Sequence, residues 1–159
     1  MAEDLDRPNR VPWPPLLLLG VVIAAVALSW LAPLPLGRLW PALRIAGGGL
    51  AAAGLILVYT ARAQFSRAGT PVDPTGRATA LSVDGVYRFS RNPMYLGASM
   101  FLGGVGLAWP AAWLLILTLP LPVLLQKLAI EREERYLSAR FGAEYDAFCA
   151  RTPRWFGPL

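Results

Sequence analysis

The chain contains no histidine and a single cysteine, Cys149, among its 159 residues. Without histidine it lacks the commonest general base and the commonest metal ligand. One cysteine completes neither a zinc site nor an internal disulfide. We therefore expect no metal or haem site, and we interpret Cys149 as an inert side chain in a reducing compartment.

Charge is also scarce over long stretches. Residues 11–37, 45–61 and 92–126 carry no charged side chain, and these runs are 27, 17 and 35 residues long. A helix needs about 20 residues to cross the ~30 Å of hydrocarbon in a bilayer. The third run matches two short crossings with a turn at Trp109-Pro110. The sequence predicts an all-α integral membrane protein with about four transmembrane helices, at about 14–34, 43–61, 93–108 and 111–127.

Basic residues outnumber acidic ones by 15 to 10. All except Arg38 and Arg44 lie in the N-terminal tail, in the 62–92 loop or after residue 126, which four crossings place on one side of the membrane. The positive-inside bias predicts that this side is cytoplasmic, with both termini there and the protein integral to the cytoplasmic membrane. Basic residues that flank spans favour contact with anionic headgroups, so we expect the lipid bilayer, and no nucleic acid, as a partner.

Helix-packing signals complete the predicted architecture. Gly47-Gly48-Gly49 and Gly54 in span two predict close approach of another helix. After residue 126 charged and apolar residues alternate at helical spacing. We expect cytoplasmic helices within 128–150, separated near Gly142, that lie over the cytoplasmic mouth of the bundle. Residues 1–159 are predicted to form a single domain, and the sequence does not fix its oligomeric state.

Two polar clusters stand at the ends of the last predicted helical hairpin. The residues that enter span three are Arg88, Arg91, Asn92 and Tyr95, and those that leave span four are Glu131, Glu133 and Glu134. Both ends of a hairpin return to the same membrane face, so we expect Arg91 to lie near the glutamates. From the residues alone, ion pairs that anchor the hairpin at the headgroups explain the clusters somewhat better than a binding site does.

The same clusters carry a family resemblance. It rests on two blocks, Gly85-x-Tyr87-x-x-x-Arg91-Asn92-Pro93-x-Tyr95-x-Gly97 and Glu133-Glu134-x-x-Leu137-x-x-x-Phe141-Gly142-x-x-Tyr145 followed by Arg154-Trp155. Together they resemble the signatures of membrane methyltransferases related to isoprenylcysteine carboxyl methyltransferase and phospholipid methyltransferase, and most of all the small bacterial members. The best-known members have histidine where this chain has Asn92. Asparagine donates and accepts hydrogen bonds but supplies no base.

The resemblance implies a site for S-adenosylmethionine at the cytoplasmic face, covered by the C-terminal helical segment. The cofactor-binding residues that it implies are Tyr87, Arg91, Asn92, Pro93, Tyr95, Gly97, Glu133, Glu134, Tyr145 and Arg154. It implies catalytic roles for Arg91, Asn92 and Glu134. Either Arg91 or Arg154 suits the cofactor's carboxylate as a forked donor. Either Glu133 or Glu134 suits its ammonium or ribose hydroxyls.

The methyl acceptor is expected to be lipophilic and to come from the bilayer. An isoprenylcysteine-type carboxylate or thiol is the first expectation, because such an acceptor needs no base. A phospholipid amine of the phosphatidylethanolamine type is the alternative. Two other classes stay open: a related membrane reductase, for which the chain is short, and a non-enzymatic membrane scaffold whose charged clusters only anchor the hairpin.

Overall fold

The computed structural model describes residues 11–35, 40–67, 79–109 and 111–156, and every regular element in these ranges is helical. The elements in chain order are α1 (Trp13–Leu31), α2 (Trp40–Arg67), a 3₁₀ turn (Gly85–Arg88), α3 (Pro93–Ala108), α4 (Ala112–Thr118), α5 (Leu121–Leu125), a π-helical turn (Gln126–Ile130), α6 (Glu131–Phe141) and α7 (Ala143–Cys149). The predicted all-α fold is confirmed for the described residues.

Three helical segments are long and apolar enough to cross a membrane: Trp13–Leu31, Pro41–Ser66 and Ala112–Phe141. At most 28% of the residues in their apolar stretches are buried inside the protein. Large apolar side chains such as Ile23 and Ile56 are mainly exposed. So much outward apolar surface is rare in water and matches lipid, which indicates an integral membrane protein. The remaining apolar helix, α3, is shorter, at 16 residues.

The helix boundaries follow the prediction closely in α3 and depart from it in α2. α3 begins at Pro93, where the missing N–H of proline has no intrahelical partner to lose. α2 continues to Arg67, so residues 62–67 are helical and not part of the predicted 62–92 loop. Packing explains this extension, because Phe65, beyond the apolar run, meets the ring of Tyr87 in the buried cluster that also contains Ala61. Residues 68–78 of that loop lie outside the described part of the chain.

α2 and α3 pack backbone against backbone. A Cβ atom added to Gly54 would lie 2.5 Å from the carbonyl oxygen of Gly97, and one added to Gly97 would lie 2.7 Å from that of Gly54. Neither distance is sterically possible, so glycine is required on both sides of this contact. Gly47 meets α3 in the same way, near Ala108. The predicted close approach of another helix to span two is confirmed at Gly47 and Gly54.

The last helical segment is a kinked rod. α4 ends at Thr118 and α5 begins at Leu121, because Pro120 between them and Pro122 in the first turn of α5 lack the backbone donors that would continue α4. The rod then passes through the π-helical turn into α6. That turn occupies the predicted boundary between the fourth span and the cytoplasmic helices. At the far end of the rod, Gly142 adopts φ +52° and separates α6 from α7, as predicted.

Candidate active site

A cleft opens where α2 ends and α3 begins, with α6 and α7 as its opposite wall. Its empty volume, including the mouth that is open to the outside, is about 650 Å³. The lining residues are Phe65, Ala80, Leu81, Ser82, Tyr87, Arg91, Asn92, Pro93, Met94, Tyr95, Glu133, Glu134, Leu137, Tyr145 and Phe148.

Most of the residues that the sequence singled out meet in this cleft. The eight that line it are Tyr87, Arg91, Asn92, Pro93, Tyr95, Glu133, Glu134 and Tyr145. Gly97 is elsewhere, in the contact with α2. Arg154 does not line the cleft, but it donates hydrogen bonds to Glu134, which does. The expected proximity of the two polar clusters is confirmed, because Nη1 of Arg91 lies 3.1 Å from Oε1 of Glu134.

Glu134 is held between two guanidinium groups. Arg154 donates a forked pair of hydrogen bonds to it, from Nε to Oε1 at 2.9 Å and from Nη2 to Oε2 at 2.6 Å. Arg91 approaches the same Oε1 from the other side. The hydrogen bond to Glu134 raises the pKa of the Arg154 guanidinium above its ordinary value. Glu134 therefore joins three parts of the chain: the turn before α3, α6 and the residues that follow α7.

Arg91 is fixed at several points and still has an unused donor. Its backbone N–H donates to the carbonyl of Pro153 at 2.9 Å, and its Nη1 donates to the sulfur of Cys149 at 2.8 Å. The side chain is only 15% exposed. Its buried Nε has no hydrogen-bond partner among the described residues. A buried donor without a partner carries a desolvation cost that a bound acceptor would remove.

Asn92 is buried at the start of α3 and turns towards the chain after α7. Its Nδ2 donates a 2.9 Å hydrogen bond to the backbone carbonyl of Arg154. Its backbone N–H donates to the hydroxyl of Ser90 at 3.1 Å, and that hydroxyl lies 3.4 Å from the same Arg154 carbonyl. The polar contacts of the asparagine thus lead to the C-terminal part of the chain.

One end of the cleft is aromatic. Phe65 from α2 meets Tyr87 edge to face, with ring centroids 5.3 Å apart, and Tyr145 and Phe148 belong to the same buried cluster. The hydroxyl of Tyr87 is buried and has no partner among the described residues. Burial raises the pKa of the Tyr87 phenol well above its usual range, and the Glu133 carboxylate adds to the rise. Burial raises the pKa of Tyr145 as well. Both phenols therefore stay protonated as donors.

Several lining residues had no signal in the sequence. Leu81 and Ser82 lie in a segment without regular structure, and Phe65 lies in the unpredicted extension of α2. Met94 and Phe148 are apolar residues, and in the sequence such residues indicate only packing between helices. None has a charged or catalytic side chain, and only the path of the backbone brings them to the cleft.

The fold and the cleft together define a class: a membrane protein with a polar, charge-paired site at the end of an apolar helical bundle. A family model described as phospholipid methyltransferase matches residues 43–144, more than half of the chain. The chain belongs to the phospholipid methyltransferase family, a family of membrane methyltransferases that act on lipid-like substrates. This confirms the family suspected from the two sequence blocks.

The matched residues contain eight of the ten predicted site residues, while Tyr145 and Arg154 lie beyond them. Neither the search of curated proteins nor the search of solved structures returned a match.

Proposed function

We propose that the protein transfers a methyl group from S-adenosylmethionine to a lipophilic acceptor at the cytoplasmic face of the membrane. The observation that carries this proposal is the cleft itself. It gathers residues from both resemblance blocks around the Arg91–Glu134 ion pair, directly beside the apolar helices. Anchoring of a hairpin at the headgroups needs no such cleft, so a scaffold role explains the arrangement less well.

The cleft residues fit the proposed cofactor, which supplies a methyl group already activated on a sulfonium. Arg91 takes its carboxylate, because the buried Nε is a charged donor without a described partner. Carboxylates such as Glu133 suit the ammonium and the ribose hydroxyls. The aromatic end of the cleft suits the adenine ring, with the Tyr87 hydroxyl as a donor to a ring nitrogen.

The protein's contribution is chiefly alignment and exclusion of water. Holding donor and acceptor in line can supply much of the acceleration in a displacement of this kind. A carboxylate or thiolate acceptor has no proton to lose. An amine acceptor needs one removed, and Glu133, with its carboxylate at the cleft, is the group in reach. Asn92 orients and does not act as a base.

The proposed topology has four crossings within one domain, residues 1–159. α1, α2, α3 and the α4–α5 rod are the crossings, and the cleft lies on the cytoplasmic side with the C-terminal helices over it. At ~1.5 Å per residue the 16 residues of α3 reach about 24 Å, less than the hydrocarbon thickness. A helix this short leaves the cleft at its N-terminus at or slightly inside the edge of the hydrocarbon, next to the headgroups that carry a lipid's reactive end.

Two acceptor classes are compatible with this location. The isoprenylcysteine-type carboxylate or thiol agrees with the absence of histidine. The phospholipid amine agrees with the description of the family model. Both present an apolar body to the membrane and a small reactive group to the cleft.

The test is a methyl-transfer assay on the full chain in lipid nanodiscs. Tritiated S-adenosylmethionine is supplied with vesicles that contain either phosphatidylethanolamine or a farnesylated cysteine, and the labelled lipid is identified. We expect label in one acceptor class, with loss of S-adenosylhomocysteine binding in Arg91→Ala. The control is Tyr59→Phe, a residue of α2 that is 74% exposed. Wild-type protein that binds no S-adenosylhomocysteine and labels no lipid would overturn the proposal.

A further inference from the structure

The residues after α7 do not line the cleft themselves but are hydrogen-bonded to residues that do. We define residues 150–156 as the C-terminal segment. The backbone carbonyls of Pro153 and Arg154 accept hydrogen bonds from Arg91 and Asn92, and the Arg154 guanidinium holds Glu134. Thr152 is only 1% exposed. At its far end, the Trp155 indole donates to the side chain of Gln126 at 3.2 Å. The segment is thus attached to the turn before α3, to α6 and to the π-helical turn.

Asn92 has a distinct place in this arrangement. It supplies the shorter of two side-chain contacts to the Arg154 carbonyl, at 2.9 Å, while the Ser90 hydroxyl lies at 3.4 Å. Beyond that carbonyl the contacts continue through the Arg154 side chain to Glu134 and from Glu134 to Arg91. The side-chain contacts that link Asn92 to the Arg91 guanidinium therefore run through residue 154, which lies outside the part of the chain that the family model matches.

We propose that Asn92 is a positioning residue: its side-chain amide fastens the C-terminal segment to the start of α3, and so keeps Arg154, Glu134 and Arg91 aligned at the cleft. The inference rests on the proposed function only in its last step, the effect on donor binding. The proposal also explains why asparagine occupies this position, because its side-chain amide supplies the N–H donor. An aspartate of the same shape offers no donor when ionised and would place two acceptors face to face.

Cys149 provides a direct reporter, because it is the one cysteine of the chain and its sulfur accepts a hydrogen bond from Arg91. The rate at which a maleimide alkylates Cys149 is measured in nanodiscs without any ligand. Loss of one buried hydrogen bond predicts that Asn92→Asp raises this rate about tenfold. Thr60→Ala is the matched control, because it removes a side-chain hydrogen bond that lies within α2. Equal rates in wild type and Asn92→Asp would overturn the proposal.

Kinetics separate positioning from catalysis. A positioning role predicts that Asn92→Asp raises KM for the methyl donor and Kd for S-adenosylhomocysteine about tenfold. At saturating donor, kcat recovers to within about threefold of wild type. Asn92→His keeps an N–H donor at a similar reach and should restore both the KM and the slow alkylation of Cys149. A lowered kcat with unchanged KM would assign Asn92 to the chemistry instead.

A further variant covers the case in which Asn92→Asp does not fold. Ser90→Ala removes only the longer contact to the Arg154 carbonyl and the acceptor of the Asn92 N–H. We expect it to raise the alkylation rate of Cys149 by a smaller factor, and no change in Ser90→Ala would contradict the fastening. Wild-type protein that binds no S-adenosylhomocysteine would refute the proposed function, while the Cys149 rates would still decide whether Asn92 holds the segment.

Discussion

The phenol of Tyr95 donates a 2.7 Å hydrogen bond to Oε1 of Glu133, which lies 38 positions further along the chain. This contact joins the first turn of α3 to the first turn of α6 across the cleft. It fixes the direction in which the Glu133 carboxylate points, at the place where the apolar bundle gives way to polar side chains.

Replacement of Tyr95 by phenylalanine removes this contact and keeps the ring. A hydrogen bond to a charged group contributes about 1.5–3 kcal/mol. We expect Tyr95→Phe to raise KM for the methyl donor by at least about tenfold. Tyr59→Phe, at an exposed position of α2, should behave as wild type. Equal KM values in the two variants would show that the orientation of Glu133 does not matter for the donor.

Arg154→Lys tests the forked geometry at Glu134. Lysine keeps the charge but cannot donate two parallel hydrogen bonds to one carboxylate. Since the Arg154 side chain is 33% exposed, solvent moderates the loss, and we expect a rise of about fivefold in Kd for S-adenosylhomocysteine. Titration calorimetry measures it. Arg151→Lys, at an exposed neighbouring position, is the matched control, and an equal effect in both variants would contradict the role of the fork.

Tyr87→Phe is predicted to act in opposite directions on folding and on binding. The Tyr87 hydroxyl is buried without a described partner, so its removal should leave the ligand-free protein unchanged or stabilise it by about 1 kcal/mol. The same change should weaken the binding of S-adenosylhomocysteine, because the ligand loses the hydrogen-bond donor that the Tyr87 hydroxyl supplies. Thermal unfolding with and without the ligand measures both effects. A marked loss of stability in the ligand-free variant would show that the hydroxyl already has a structural role.

Gly54→Ala tests the contact between α2 and α3. The added methyl group meets the carbonyl of Gly97 at 2.5 Å, whereas a methyl group at Gly48 meets nothing within 4 Å. Both changes alter helix propensity equally, so their difference isolates the packing. Overpacking predicts that Gly54→Ala unfolds more easily than Gly48→Ala by about 1–3 kcal/mol. Unfolding in detergent titrated with dodecyl sulfate measures this difference, and equal midpoints would contradict the close contact.

The sequence predicted those parts of the fold that follow directly from the types of residues present. A charge-free run, a proline at its start and a glycine between charged helices were enough to locate α3 and the break at Gly142. Opposite charges at the two ends of one hairpin were enough to bring Arg91 to Glu134.

The remaining features depend on groups that every residue possesses or on packing between distant segments. The partner of Asn92 is a backbone carbonyl, and no side-chain pattern identifies which carbonyl a folded chain will present. The extension of α2 contains Arg62 and Arg67, and because these charges follow the apolar run, a loop was predicted to begin there. The extension is held by the contact of Phe65 with Tyr87 in the buried cluster that also contains Ala61, and this contact exists only once the chain has turned back at Gly85, where φ is +56°.

The π-helical turn between α5 and α6 sets the rotational phase of the glutamates relative to the membrane-crossing half of the rod. A π-helical turn accommodates one residue more than the α-helix would, and each residue of an α-helix advances the side chains by about 100° around the axis. Deletion of a single residue from Gln126–Ile130 would let the rod revert to a plain α-helix of nearly the same length. Because the wide turn absorbs the extra residue, the side chains of α6 would then keep nearly their present direction and Glu134 would stay beside Arg91, whereas deletion of one residue between Glu131 and Glu134 would turn Glu134 about 100° away from it.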